Sequence, residues 1–297
     1  MPQKEAEACL ITGCSTGIGR ATAERLVRSG YTVYASARRL ESIKDLEASG
    51  CRLLELDVCL EESIRRAVGT AEAECGAVSV LVNNAGYGSE GPVEEIGMDE
   101  IRRQFETNVF GLLRATQLVL PGMRRQGHGK IVNMSSMGGR LTLPGGGIYH
   151  ATKYAVEAIS DALRFEVRPF GIDVIVIEPG AIQSEFGRSA IERVERVANP
   201  DPAYDDFREV LKREIRGAYE GPLAVLAGEP DDVARAIERA LRARRPRARY
   251  PVTLGARLLM GARRWLGDRG FDAFLRTRFK TTPRASATND ATNDRRD

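Results

Sequence analysis

The chain has 297 residues, 42% of them hydrophobic, enough for one large α/β core. Its 44 basic and 41 acidic residues leave a net charge of +3, which excludes a general nucleic-acid-binding composition. The five cysteines, Cys9, Cys14, Cys51, Cys59 and Cys75, are odd in number and form no Cys-x-x-Cys, so reduced thiols and a cytoplasmic location are expected. No apolar run is long enough to span a bilayer, and the opening MPQKEAEA lacks the apolar core of a signal peptide. No His, Cys and acid cluster has ligand spacing, so no metal is expected.

Residues 8–11 form a short apolar run that reads as a strand. Ile18, Ala21, Ala23, Leu26 and Val27 then recur at helical spacing, and Gly30 closes the helix. The pattern predicts a strand over 32–35, a helix over 40–48 and a strand over 52–56. A helix over 63–74, a strand over 78–82, a long helix over 99–125 and a strand over 130–134 come next. A helix over 148–167 precedes a Val- and Ile-rich strand over 172–177. This alternation predicts a parallel sheet covered on both faces, with ligands beyond the carboxyl ends of the strands. Residues 181–228 break the rhythm and read as an insertion of short helices and loop, before a helix over 231–244 and a last strand over 249–252. Residues 281–297 lack large apolar side chains and are expected to be disordered.

Thr12-Gly13-Cys14-Ser15-Thr16-Gly17-Ile18-Gly19 joins the first strand to the first helix. Its glycines allow a tight turn and close approach to a pyrophosphate, and the helix N-terminus adds N–H groups and a positive dipole end. The spacing is G-x-x-x-G-x-G rather than G-x-G-x-x-G, and by itself it also suits a plain glycine-rich turn. After the second strand stand Arg38 and Arg39, with no acid before Glu41. A guanidinium fork matches the 2′-phosphate of NADP, so Arg38 first and Arg39 second argue for NADP over NAD. Two cations at the start of a predicted helix oppose its macrodipole, a mismatch that a bound phosphate relieves. Tyr149 and Lys153 are spaced i, i+4 and share a helical face. An ammonium near a phenol favours phenolate and lowers its pKa from about 10, giving a general acid/base usable near neutral pH. His128, in a Gly-His-Gly turn, and His150, expected to line the mouth of the site or to lie exposed at the surface, build no triad.

These motifs, with Asn83-Asn84-Ala85-Gly86, Asn108, Ser136 and Pro179-Gly180 at matching places, resemble the short-chain dehydrogenase/reductase family in its form with a TGxxxGxG loop. The resemblance spans about residues 8–250. It implies a Rossmann-type doubly wound parallel sheet, one domain over 1–253, with an amphipathic helical extension over 254–280. It also implies an oxidoreductase that interconverts a carbonyl and an alcohol with NADP(H). Cofactor contacts are implied for Gly13, Ser15, Thr16, Gly17, Ile18, Gly19, Arg38, Arg39, Asp57, Val58, Asn84, Ala85, Gly86, Tyr149, Lys153, Pro179, Gly180 and Ile182, with Asp57 and Val58 at the adenine. The catalytic set is Asn108, Ser136, Tyr149 and Lys153. In it Ser136, rather than Ser135, polarises the carbonyl and Tyr149 transfers the proton. Lys153 holds the nicotinamide ribose, and Asn108 keeps a water in the proton relay.

The length of the insertion and the tail resembles the hydroxysteroid and retinol dehydrogenase branch, which implies a hydrophobic substrate such as a steroid, retinoid or lipid-like ketone. Gly145-Gly146-Gly147 is expected to leave an open approach for a bulky molecule. The alternative is a dinucleotide-binding regulatory protein without turnover; the presence of both Tyr149 and Lys153 argues against it. In the extension, Leu254, Leu258, Leu259, Ala262, Trp265 and Leu266 share one helical arc, with Arg257, Arg263 and Arg264 on the other. Phe271, Phe274, Leu275 and Phe279 form a second apolar cluster, and the segment from Arg242 to Lys280 holds twelve bases against two acids. Two readings stand open: apolar arcs packed on the main domain, or a cap over the substrate mouth that also touches an anionic membrane. By resemblance, the helices over 99–125 and 148–167 are expected to build a homodimer or homotetramer.

Overall fold

The inner strands of this chain are short, rich in apolar side chains and buried on both faces as a parallel sheet requires, while the edge strands over 52–55 and 249–251 are half-buried or exposed. The computed structural model describes residues 7–195 and 200–280; the tail over 281–297 lies outside the described residues. The strands are β1 (Ala8–Ile11), β2 (Thr32–Ala37), β3 (Arg52–Glu55), β4 (Val80–Asn83), β5 (Gly129–Met134), β6 (Ile172–Glu178) and β7 (Arg249–Pro251). All pair in parallel, in the order β3-β2-β1-β4-β5-β6-β7. The order reverses between β1 and β4, and a crevice opens at that switch point beyond the strand ends.

The helices are α1 (Gly17–Arg28), α2 (Glu61–Cys75), α3 (Met98–Phe105), α4 (Gly111–Gln126), α5 (Gly147–Val167), α6 (Glu185–Glu195), α7 (Asp205–Tyr219), α8 (Pro230–Arg242) and α9 (Leu254–Arg278). Alternate strand residues feed two cores. Ile11, Val82, Val132 and Ile177 face one layer with Leu26 of α1 and Ile237 of α8. Leu10, Leu81, Ile131 and Val174 face the other with Ile64 of α2 and Val119 of α4. The period of two in each strand thus holds helices on both faces of the sheet.

Three expectations need correction. Residues 40–48 form two 3₁₀ turns, Leu40–Ser42 and Lys44–Glu47, not an α-helix. Ile43 and Leu46 are the buried residues there, and i, i+3 spacing aligns side chains in a 3₁₀ turn. The macrodipole reasoning for Arg38 and Arg39 therefore loses its helix. The long helix over 99–125 is interrupted by a π turn, Glu106–Phe110, between α3 and α4. Finally, α9 is broken at Gly267, whose φ of 61° and ψ of −170° suit glycine alone.

Candidate active site

The loop from β1 into α1 is shaped by close approaches that only glycine permits. A Cβ on Gly19 would lie 2.2 Å from the Gly13 carbonyl oxygen, and one on Gly13 (φ +76°) would lie 2.9 Å from Ala85 Cα. The Thr12 hydroxyl accepts from the Asn84 and Ala85 amides at 3.1 and 3.0 Å. Asn84 Nδ2 donates to the Thr12 and Gly13 carbonyls, both at 2.9 Å. The Asn84 side chain is thus used to brace the loop. At the start of α1, Thr16 gives no side-chain cap and no acid stands in the first turn. The first amides of α1 remain for an anion, which is the cradle a dinucleotide pyrophosphate fits. Ser15, Thr16, Gly17 and Ile18 line the crevice, as do Asp57, Val58, Ala85 and Gly86. The Asp57 carboxylate is held by the Cys59 amide at 2.9 Å. Arg38 is exposed, lines the crevice and makes no side-chain hydrogen bond or ion pair among the described residues. Its neighbour Arg20 is held by Asp45 at 2.8 Å. Arg39 is exposed but does not line the crevice.

Ser136, Tyr149 and Lys153 come together on the opposite wall. Ser136 comes just after β5, its Oγ accepting from Gly138 N at 3.0 Å and lying 3.4 Å from the Pro179 carbonyl after β6. Tyr149 and Lys153 project from the first turns of α5, and Lys153 Nζ stands 5.7 Å from the Tyr149 ring centroid. That ammonium donates to the Met134 carbonyl at 2.8 Å. Burial pushes Lys153 down to about 8, opposed by the charge of Glu157. Burial pushes the Tyr149 phenol well above its usual range, while a hydrogen bond with Ser136 draws it back. The lowering expected from Lys153 is therefore not found: desolvation of the phenolate dominates, and the groups that oppose it are Ser136 and Arg193. Tyr149 stands as a phenol, ready to donate. Ser135 is buried, its hydroxyl 3.5 Å from the Ser136 carbonyl.

Asn108 lies in the π turn behind Lys153 and does not line the crevice. Its Nδ2 donates to the Tyr87 carbonyl at 2.8 Å and to Thr152 Oγ1 at 3.1 Å, and its Oδ1 accepts from Tyr87 N at 3.0 Å. The side chain is a brace between the β4 exit and α5. His150 lines the crevice, but the surface exposure expected of it is corrected: it is 8% exposed, its Nδ1 accepts from Leu143 N at 3.3 Å, and burial pushes it down to about 4. Cβ atoms on Gly138 and Gly146 would meet its ring at 2.2 and 2.6 Å. A Cβ on Gly145 would meet Leu211 at 2.5 Å. Of the Gly145-Gly146-Gly147 run, Gly145 and Gly146 line the crevice and leave room for Leu211 and His150, while Gly147 faces Val93.

The crevice continues into an apolar cavity, and the two together enclose about 1270 Å³. Leu211 and Ile215 of α7 and Leu258, Leu259, Phe274 and Leu275 of α9 line its outer part. Phe207 and Phe279 stack at 6.3 Å, and Arg278 donates to Glu214 at 2.7 and 2.9 Å, fastening the end of α9 to α7. Gly180 is needed for the same closure, since a Cβ there would lie 2.2 Å from the hydroxyl of Thr253, which caps α9. Ile182 bridges to Gly228 and lines the cavity. Tyr87, Glu90 and Tyr219 also line it, although no sequence motif singled them out; they come from loops and helices distant in the chain.

A family model described as short chain dehydrogenase matches residues 7–195. The probable short-chain type dehydrogenase/reductase VdlC of Helicobacter pylori is 33% identical over 267 residues, covering 90% of this chain and 96% of that protein. The 3-ketodihydrosphingosine reductase of Bacteroides thetaiotaomicron is 42% identical over 178 residues, 60% of this chain and 64% of that protein. The solved closed form of serine dehydrogenase complexed with NADP+ has a TM-score of 0.71 at 26% identity, covering 83% of this chain and 94% of that one. With its seven-stranded parallel sheet and glycine-shaped crevice, the chain belongs to the short-chain dehydrogenase family, oxidoreductases that act on CH–OH groups with a nicotinamide dinucleotide.

Proposed function

We propose that the protein is an NADP(H)-dependent reductase of a hydrophobic ketone, or the reverse dehydrogenase, of the lipid, steroid or retinoid kind. The observation that carries this is the convergence of Ser136, Tyr149 and Lys153 where the glycine-shaped crevice meets an apolar cavity. In the reductive direction the Ser136 and Tyr149 hydroxyls hydrogen-bond the carbonyl oxygen, and Tyr149 gives it a proton. Preorganised donors at the site of developing charge are a large part of such a rate. Lys153 orients the ribose and supplies positive charge beside Tyr149; Asn108, in its π turn, braces the helix that carries both. When bound, the nicotinamide supplies or accepts the hydride. Arg38, open at the crevice edge, supports NADP, as does the NADP+ complex of serine dehydrogenase. The apolar wall of α7 and α9 supports a hydrophobic substrate, in keeping with the sphingoid ketone that names the Bacteroides relative.

The test is NADPH oxidation with a panel of apolar ketones, NADH in parallel, and Tyr149→Phe as control. Turnover with NADPH that falls about 10²- to 10⁴-fold in the variant, with NADPH binding kept, is the expected result. Equal turnover in Tyr149→Phe overturns the assignment, and absence of turnover with intact dinucleotide binding favours the regulatory alternative.

On the outer face of α9, Trp265 is 87% exposed, and Leu254 and Leu266 are exposed near Arg257, Arg263, Arg264 and Arg269. This arc does not pack on the main domain, and its charge complements an anionic lipid surface, so peripheral membrane contact is proposed here. Co-sedimentation with anionic vesicles that is lost in Trp265→Ala/Leu266→Ala supports it; no pelleting of the unaltered protein ends it. No helix among the described residues is long and apolar enough to cross a membrane. Homo-oligomerisation through α4 and α5 is supported by exposed Phe110, Tyr154 and Phe165 on that side, and free cysteines suit a cytoplasmic setting.

A further inference from the structure

One helical turn beyond Lys153 stands Glu157, and Glu178 closes β6 beside it. Both carboxyl groups are buried. Two full negative charges in such a place are costly unless cations meet each of them. The cations present do not. Arg249 of β7 donates from Nε to Glu157 Oε2 at 2.9 Å but stays 3.6 Å from Glu178 Oε1. Its Nη2 is engaged by Asp161 at 2.7 Å, and Arg164 also donates to Asp161 at 2.6 Å. Arg140, half exposed, comes no nearer than 3.8 Å to Glu178 and 3.9 Å to Glu157. One oxygen of each glutamate, Glu157 Oε1 and Glu178 Oε1, is sealed from solvent with no hydrogen-bond donor. The two carboxyl groups face the same two guanidinium groups, those of Arg249 and Arg140, and hydrogen bonding with Glu157 is among the influences that raise Glu178. A single proton held by the pair supplies a donor where both glutamates otherwise only accept, and removes one of the two charges.

We propose that Glu157 and Glu178 share one proton, and that the negative charge left on the pair makes them positioning residues for Lys153, holding its buried ammonium charged beside Tyr149. Arg249, Arg140, Asp161 and Lys153 are the charged groups that face the pair, from β7, the loop after β5 and α5. Burial pushes Glu178 up to about 7, Glu157 adds to that, and the two arginines oppose it. Lys153 is pushed down to about 8 by burial, with Glu157 pushing back. As pH rises through neutrality the pair gains its second charge, so its hold on the ammonium grows as Lys153 begins to lose its proton. The pair thus widens the pH range over which Lys153 stays charged. Neither glutamate reaches the crevice, so the effect is exerted through Lys153.

The proposal rests on Lys153 serving the reaction, but the shared proton is readable without turnover. Infrared difference spectra of the full-length protein at neutral pH should show the C=O stretch of a protonated carboxylic acid, absent from Glu178→Gln. Failure to find that band overturns the shared proton, whatever the assays show. The second reading is the pH dependence of kcat and of NADPH binding. In Glu157→Gln the Lys153 ionisation should move down by about one unit, with KM for the ketone nearly unchanged. In Glu178→Gln the amide donates to Glu157 and fixes the charge on the nearer residue, so the shift should be clearly smaller. Profiles displaced in neither variant, with or without a lowered Tm, would assign the pair a structural role only, and equal displacement in both would overturn the single shared proton. If Glu157→Gln does not fold, the infrared band and the Glu178→Gln profile still decide.

Discussion

The dinucleotide half and the cap are built on different principles. In the first half, function depends on backbone: Gly13 and Gly19 let the chain pass where no Cβ fits, Gly17 takes a φ of +57°, and the strand ends set the positions of the loops that line the crevice. In the cap, α6, α7 and α9 are held by side chains, such as Arg193 to Glu90 at 2.7 Å and Phe207 stacked on Phe279. Backbone constraints are all-or-none, whereas side-chain clamps are graded. Cofactor binding should therefore fail abruptly under small changes, while substrate range should drift.

The sharpest challenge to this contrast is a pair of glycine substitutions. Gly19→Ala, with its Cβ 2.2 Å from the Gly13 oxygen, should lose dinucleotide affinity and about 1–3 kcal/mol of stability. Gly261→Ala, in α9 with nothing within 4 Å, should be neutral or stabilise by up to about 1 kcal/mol. Cofactor titration and denaturant melts check both; equal losses would erase the contrast. Next in size is Arg38→Ala, which removes a charge-assisted contact worth about 1.5–3 kcal/mol. The ratio of kcat/KM for NADPH over NADH should fall by roughly one to two orders of magnitude, and better kcat/KM with NADH in the unaltered protein contradicts the arginine reading.

In the cap, Phe207→Ala forfeits a ring pair worth about 0.5–1.5 kcal/mol. KM for long apolar ketones should rise roughly two- to tenfold, with NADPH affinity unchanged; a parallel loss of cofactor affinity would show the two halves to be coupled. The smallest effect concerns His150, wedged between Gly138 and Gly146 and pushed down to about 4. Because its folded pKa lies below the unfolded value near 6.5, its contribution is whole above that value and is lost as pH falls toward 4. Between pH 7 and 6 the loss should be under about 1 kcal/mol, seen as a fall in Tm that His150→Gln flattens.

Legibility in the sequence divided along the same line. The alternation of strands and helices, the glycine loop, and the Tyr149, Lys153 and Ser136 spacing were readable because each rests on local geometry: strand period, helix period and the conformations open to glycine. The place of His150 was not, because its burial depends on glycines on either side of it in space. The helix expected over 40–48 failed because Ile43 and Leu46 satisfy a 3₁₀ period as readily as an α period.

Local sequence was enough to set the sheet, the phosphate-binding turn and the face shared by Tyr149 and Lys153, since each is settled within a few consecutive residues. That burial raises the Tyr149 phenol and outweighs its hydrogen bond with Ser136 emerged only from the folded arrangement. The same arrangement turned the Asn84 and Asn108 side chains into braces and enclosed Glu157 with Glu178. Desolvation and hydrogen-bond partners are properties of what surrounds a group, and those surroundings come from segments that are distant in the chain.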